Sequence, residues 1–310
     1  MKDILVIGEA LVDVVVPPDG AVAEHPGGSP ANVALGLARL GRSVDLLTRI
    51  GKDERGRDVA AHLERSGVRL APGSVVDART STATARLDPD GVASYEFDLL
   101  WDLPPDARAG DVDAVHTGSI AAAVGPGAEA VARIVEEAAG RAVITYDPNA
   151  RPALMGDPVG DPVSTLATMQ RLIRTADVVK VSDEDLAWLL PGQDPLAVAE
   201  QWRTDGPALV VVTRGGRGAS GVLSSGVVEV GAPPITVADT VGAGDAFMSG
   251  LLDALAQRGL LEPSGREALH GLVPGALAPI LTHAVKVAAY TCTRPGADPP
   301  TRRQLASFVR

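Results

Sequence analysis

The run Asp239-Thr240-Val241-Gly242-Ala243-Gly244-Asp245-Ala246-Phe247 carries residue types that could do chemistry together. Behind its glycines, Phe247, Gly250, Leu251, Ala254 and Leu255 recur at helix spacing. That spacing predicts a Gly-Ala-Gly turn whose backbone N–H groups point out of a helix N-terminus. Such an end draws anions, and glycine lets the backbone come close to a phosphate. Asp245 is the odd member, a carboxylate in a turn suited to holding phosphate. The conflict disappears if the turn (Gly242, Ala243, Gly244) stabilises a phosphoryl group in transfer while Asp245 takes the proton of the attacking hydroxyl. The plainer alternative is a glycine hinge followed by a helix-capping Asp.

A second stretch, Gly27-Gly28-Ser29-Pro30-Ala31-Asn32-Val33-Ala34, places small residues at another predicted helix start. A ligand could lie against its backbone, and the Asn32 amide offers both a donor and an acceptor to sugar-like hydroxyls. Read plainly, it is a glycine loop followed by an ordinary Asn. Asp13 sits among the valines of an early strand, where an acid buried without partners is unfavourable. It could accept from two adjacent hydroxyls, as polyol recognition requires, or simply face solvent on an edge strand.

Composition narrows the function classes. The 310 residues are 45% hydrophobic and 22% charged, which suits one large globular domain with room for a sizeable core. A net charge of −11 argues against nucleic-acid or anionic-membrane partners, and 3% aromatics leaves little for base stacking. An anionic substrate therefore needs a locally built site. The single cysteine, Cys292, excludes an internal disulfide framework and a multi-cysteine metal site. No apolar run reaches the roughly 18 residues of a membrane span, and Met1-Lys2-Asp3 leads directly into a strand-like segment without a signal-peptide pattern. The expectation is a cytoplasmic protein.

The elements that must position these residues alternate. Strands are predicted at Ile4–Ile7, Val44–Leu47, Val112–His116, Val143–Tyr146, Val178–Val181 and Leu209–Thr213. Helices are predicted at Ala31–Leu40, Ala128–Ala139, around Met169–Thr175, at Leu196–Arg203 and at Leu277–Tyr290. This alternation is the signature of a parallel sheet covered on both faces. Val12, Val14 and Val16 stand apart from it, as do Thr80–Leu87 and Val92–Phe97, which Asp88-Pro89-Asp90-Gly91 joins as a hairpin turn. Together they predict a small sheet covering a cleft. Pro- and Gly-rich pieces at 156–162, 191–195 and 231–234 read as loops.

The pair Gly27-Gly28-x-x-x-Asn32-x-Ala34, with Gly41 and Gly51, and Asp239 to Phe247 resembles the two signatures of the ribokinase-like (PfkB) carbohydrate kinases. Both are complete in spacing and lie over 200 residues apart in the expected order. Similar segments recur along nearly the whole chain, among them Gly8-Glu9-x-x-x-Asp13, Asp147-Pro148-Asn149-x-Arg151-Pro152 and Thr213-x-Gly215-x-x-Gly218. Gly-Glu-Ala-Leu-Val-Asp with Asp-Pro-Asn-x-Arg-Pro looks most like fructokinases, and 2-keto-3-deoxygluconate kinases share the second element.

The resemblance implies one three-layer α/β/α domain over residues 1–310, with a mainly parallel central sheet and a β-sheet lid from about 12–24 and 80–103. It implies Asp245 as catalytic base, Gly242, Ala243 and Gly244 as anion hole, and Asp13, Gly27, Gly28 and Asn32 as sugar contacts. Thr213, Gly215 and Gly218 match the nucleotide-binding turn, and Ala288 and Cys292 would lie near adenine. Arg151 would meet phosphate or substrate, or form a surface ion pair; Lys180 and Ser182 would serve the nucleotide, or Lys180 would be the solvated end of a strand. The family often shows Asn-x-x-Glu, which organises magnesium through water, where this chain has Ser182-Asp183-Glu184-Asp185, so Asp185 or Glu184 would organise a Mg²⁺ ion here. Tyr95, Phe97 and Trp101 would close over sugar or pack a homodimer through the lid. The activity implied is ATP-dependent phosphorylation of a ketose primary hydroxyl, fructose first, with K⁺ a further cation in some members. A sugar acid would want a basic lid partner, and Arg86 is the only basic residue in the hairpin strands. The rivals are kinases of other sugars, sugar acids or nucleosides, and a non-catalytic sensor that kept the fold.

Overall fold

The structure is a computed structural model that describes residues 3–88, 93–156 and 165–308. In chain order the strands are β1 (Ile4–Ile7), β2 (Leu11–Val16), β3 (Ala23–Gly27), β4 (Val44–Leu47), β5 (Ile50–Gly51), β6 (Val68–Leu70), β7 (Val75–Val76) and β8 (Thr82–Leu87). They continue as β9 (Ala93–Asp98), β10 (Ala114–Gly118), β11 (Val143–Asp147), β12 (Val178–Ser182), β13 (Leu209–Thr213), β14 (Ala219–Leu223) and β15 (Gly226–Val230). The helices are α1 (Ser29–Arg39), α2 (Glu54–Arg65), α3 (Gly127–Ala138), α4 (Pro152–Met155), α5 (Thr165–Thr175) and α6 (Asp183–Leu189). After them come α7 (Pro195–Asp205), α8 (Ala243–Ala256), α9 (Arg266–His270), α10 (Pro274–Cys292) and α11 (Arg302–Ser307).

Nine strands form the central sheet in the order β15-β14-β13-β12-β11-β10-β1-β4-β6. From β13 to β6 neighbours are parallel, and the β14–β15 edge is antiparallel. The reason for three layers is visible along β1. Ile4 and Val6 join a core with α1, α8 and α10, while Leu5 and Ile7 join a second core with α3, α5 and α7. β13 divides in the same way, Leu209 and Val211 on one side and Val210 and Val212 on the other. Strands covered on both faces read as continuous apolar runs, which is why these were predicted. Each fully buried aliphatic side chain contributes roughly 1.5–3 kcal/mol.

Close helix contact fixes α8. A Cβ on Gly250 would lie 2.9 Å from the Ala284 Cα and 3.0 Å from Val287, so α8 and α10 meet nearly backbone to backbone. The far end of α8 is tied by Asp253, whose fully buried carboxylate accepts from Arg42 Nε and Arg302 Nη2, each at 2.7 Å, and lies 2.9 Å from His283 Nε2. The helix that carries the candidate base is thus pinned to the loop after α1, to α10 and to α11.

The small sheet has the order β3-β2-β8-β9. β8 and β9 pair antiparallel with Leu87 opposite Ala93, as a hairpin requires, while residues 89–91 of the predicted turn and residue 92 of the predicted second strand lie outside the described residues. Residues 157–162 of one predicted loop lie outside them as well. Several expectations change. The strand predicted at 112–116 sits two residues later, and α8 begins at Ala243, so Gly244 lies inside the first turn instead of ahead of it. β3, α2 and the β14–β15 hairpin were not foreseen. Trp101 is not a lid residue: it is 7% exposed, belongs to the second core, and donates its Nε1–H to the Ala121 carbonyl at 2.9 Å. Among the described residues no single helix is long and apolar enough to cross a membrane.

Candidate active site

The C-terminal ends of the central parallel strands and the N-termini of α1 and α8 converge. In open parallel sheets this edge is where ligands bind. Gly242, at φ 72°, is the N-cap of α8, and the first helical bond runs from Ala246 N to Gly242 O. The Gly244 and Asp245 amides therefore precede it, as donors at a helix start do. The Ala243 amide donates to Thr240 O at 3.2 Å, within the turn.

Asp245 is 6% exposed. Its Oδ1 accepts from Ser29 Oγ at 2.7 Å and its Oδ2 from Asn32 Nδ2 at 2.8 Å. The two glycine-rich stretches, predicted separately, thus meet at this carboxylate. Asn32 reaches the candidate base, a contact that its expected role on a sugar hydroxyl did not include. Asn149 Nδ2 donates to Ser29 Oγ at 2.5 Å and lies 3.4 Å from Asp245 Oδ1.

Lys180 is not the solvated end of a strand. It is 2% exposed, and its Nζ donates to Asp147 Oδ2 at 2.9 Å. A Cβ on Gly244 would lie 3.2 Å from that Nζ, so the ammonium stands directly against the start of α8. Burial works against its charge, but Asp147, Asp185 and Asp245 hold it above the ordinary lysine value. Burial pushes the Asp147 carboxyl up to about 6, against the pull of Lys180. At neutral pH the pair is ionised. Asp147 Oδ1 is buried without a hydrogen-bond partner among the described residues.

Asp13 does not sit on an edge strand, because β2 lies between β3 and β8. Its carboxyl is pushed up to about 6 by burial, with Arg151 and His25 opposing and Asp245 adding. A Cβ on Gly27 would fall 2.0 Å from Asp13 Oδ2, so glycine is needed there for the carboxylate to keep its place. Gly28, at φ 106°, passes against the Glu9 carbonyl. Glu9 itself is 6% exposed, and burial pushes it up to about 7.

Asp185 has a structural task. Its Oδ2 accepts from Ser182 N and its Oδ1 from Ala150 N at 2.9 Å, while Ser182 Oγ accepts from Asp185 N. This capping box starts α6 and also fastens the loop after β11. Glu184 lies in the same first turn of α6. Arg151 makes no surface ion pair among the described residues; its Nη1 instead donates to Asn149 Oδ1 at 2.7 Å and to the Asn149 and Ala150 carbonyls. Among the described residues no three His, Cys, Asp or Glu side chains group as a metal cage. Thr213 ends β13 opposite Ser182, Gly215 and Gly218 turn the chain with positive φ, and Arg214 N donates to Gly218 O. Cys292 is half-buried, and its carbonyl accepts from Ala238 N ahead of the Asp239 loop. Ala288 packs against the first core.

Ser29, Asp147 and Asn149 were given no role from sequence. Each lies inside a stretch already singled out, but only folding shows which charged group it meets, Asp245 for Ser29 and Asn149 and Lys180 for Asp147.

A buried carboxylate at a helix start, with a buried ammonium against the same helix end and the Asp13 carboxylate in the small sheet, suits phosphoryl transfer to a hydroxyl compound. Residues 1–303 match the profile of the pfkB family carbohydrate kinases. The chain belongs to this family, and it is a phosphotransferase acting on a sugar hydroxyl. It is 35% identical over 272 residues to a fructokinase of Rhizobium leguminosarum bv. trifolii, covering 83% of this chain and 81% of that protein. A crystal structure of fructokinase with bound ATP from Xylella fastidiosa superposes with a TM-score of 0.84 at 27% identity, over 99% of this chain and 97% of that one. A fructokinase double mutant from Vibrio cholerae O395, in fructose, ADP and potassium ion bound form, gives 0.82 at 28%, over 100% and 99%.

Proposed function

We propose that the protein transfers the γ-phosphoryl group of ATP to a primary hydroxyl of a ketose, with fructose as substrate. The observation that carries this reading is Asp245, gripped by Ser29 and Asn32 in the first turn of α8. A sugar held by Asp13, the Gly27–Gly28 backbone and Asn32 presents its hydroxyl to Asp245, which removes the proton as the oxygen attacks phosphorus. The amides at the start of α8 and the Lys180 ammonium stabilise the charge that spreads over the transferred group. Thr213, Gly215, Gly218 and Ser182 line the nucleotide side. Fructokinases crystallised with ATP, and with fructose, ADP and potassium ion, support the choice of ligands.

Hard oxygen donors suit a Mg²⁺ ion. Asp147 Oδ1, without a hydrogen-bond partner among the described residues, would be available to hold it, with Asp185 acting through water. When bound, Mg²⁺ offsets phosphate charge. Binding of a K⁺ ion is part of the same reading, by likeness to the Vibrio fructokinase in potassium ion bound form. So are a single kinase domain using the small sheet as lid, a cytoplasmic setting without nucleic-acid or membrane partners, and a homodimer through the lid. Tyr95 and Phe97, stacked at 6.1 Å on the edge strand β9, support the last.

A sugar-acid substrate is disfavoured, since Arg86 in the lid is exposed and faces Glu96 at 3.7 Å. The test is ADP release with fructose, ribose, 2-keto-3-deoxygluconate and adenosine, in K⁺ and in Na⁺. Highest kcat/KM with fructose is expected; preference for the sugar acid or the nucleoside overturns the assignment, and turnover with none of a broad sugar panel points to a sensor.

A further inference from the structure

Two residues other than glycine hold a left-handed backbone among the described residues, Ser119 at φ 56° and Asn149 at φ 37°. They stand just past the ends of neighbouring strands β10 and β11. For a residue with a Cβ this conformation costs about 1 kcal/mol or more and persists where the surroundings impose it. Around Asn149 the surroundings are explicit. Lys180 anchors Asp147 two residues before it, and Asp185 holds the Ala150 amide directly after it. Arg151 Nη1 donates to the Asn149 side-chain oxygen at 2.7 Å.

That last bond sets the direction of the amide. With its oxygen on the guanidinium, its nitrogen faces Ser29 Oγ at 2.5 Å and Asp245 Oδ1 at 3.4 Å. The flipped amide would put NH₂ against a cation and C=O against a carboxylate. An aspartate carboxylate turns easily about its last torsion. Here Asn32 holds Oδ2, and Ser29 holds Oδ1 with its only proton. The donor from Asn149 fills an acceptor position of Ser29, so the serine proton is directed to the base.

We propose that Asn149 is a positioning residue for phosphoryl transfer: through Ser29 it fixes the Asp245 carboxylate so that a lone pair faces the acceptor hydroxyl. In the reaction the hydroxyl proton passes to Asp245, the new O–P bond forms and the bond to ADP breaks. Asn149 exchanges no atoms. The proposal rests on the reading of Asp245 as base.

Asn149→Gly deletes the amide yet adopts the left-handed backbone without strain. Expected are a Tm close to that of the unmodified protein, an ATP KM within about twofold, and kcat with fructose lower by about tenfold or more. Combined with Ser29→Ala, the loss is no larger than for Ser29→Ala alone, since both act through one contact. Asn149→Asp keeps the Arg151 contact but lacks the donor, and loses kcat at least as far; it gives the same test should the glycine variant fold poorly. A kcat within twofold of the unmodified enzyme, or losses that multiply in the double variant, overturns the proposal. Asp245→Asn run alongside separates the two readings. If it is inactive while Asn149→Gly is unaffected, only the positioning role falls; if it turns over normally, the base reading falls first.

Discussion

Glu9 follows β1 beneath the Gly28 turn, buried, with Oε2 accepting from Ala121 N at 3.2 Å. Burial pushes its carboxyl from an ordinary 4.5 up to about 7, although Ser119 and Arg151 pull the other way. A group raised in the folded state binds more protons folded than unfolded between those two values. Its contribution to stability is therefore complete below 4.5, is lost as pH rises to about 7, and is level above. With these values, ionisable Glu9 weakens the fold by about 1.5 kcal/mol at pH 5.5 and about 3.5 kcal/mol at pH 8. Glu9→Gln keeps an acceptor for the Ala121 amide and does not titrate. Urea unfolding of both proteins at the two pH values, followed by tryptophan fluorescence, isolates the effect. Asp13 and Asp147, both pushed up to about 6, titrate in both proteins and cancel in the difference. The variant is expected to gain about 2 kcal/mol relative to the unmodified protein between pH 5.5 and pH 8. A difference that stays constant across that interval refutes the reasoning.

Asp253→Ala removes a buried carboxylate that Arg42, Arg302 and His283 all face, and is expected to lower unfolding free energy by about 3–5 kcal/mol, measured by urea unfolding at pH 7. Despite its burial, those three side chains hold Asp253 well below the ordinary carboxylate range, so its stabilisation is present above 3.8 and is lost as pH falls below that value. Gly27→Ala would drive a methyl group into Asp13 Oδ2; steady-state kinetics should show the fructose KM rising about tenfold with the ATP KM unchanged, and an unaltered fructose KM would show that Asp13 does not hold the sugar.

The three-layer sheet was legible because buried parallel strands such as Leu209–Thr213 are continuous apolar runs. What stayed hidden lacked that signal. In α2 only Gly56, Val59 and Leu63 are buried, too few to mark a stripe among its charges, and Ala-Glu-His-Pro-Gly in β3 has no strand pattern. Trp101 was placed with Tyr95 and Phe97 by spacing, yet the chain dives into the core within four residues of Phe97. Spacing located Asp245 and Asn32 but could not say that they bond each other. Lys180 looked like a strand end because nothing local announces Asp147, 33 residues away, as its partner. Asp185 carries the spacing of a metal residue, and its capping bonds become visible only when β11 and β12 are side by side. Local chemistry survives translation into sequence, whereas pairing across the sheet does not.

The central claim is that Asp245 is the proton acceptor in phosphoryl transfer, and kcat of Asp245→Asn for ADP release with fructose tests it most directly. The amide keeps the size of the carboxylate but is a far weaker base. With an unchanged circular dichroism spectrum and ATP affinity, kcat is expected to fall by about 10³-fold or more. A folded Asp245→Asn that retains kcat within tenfold of the unmodified enzyme would contradict the account.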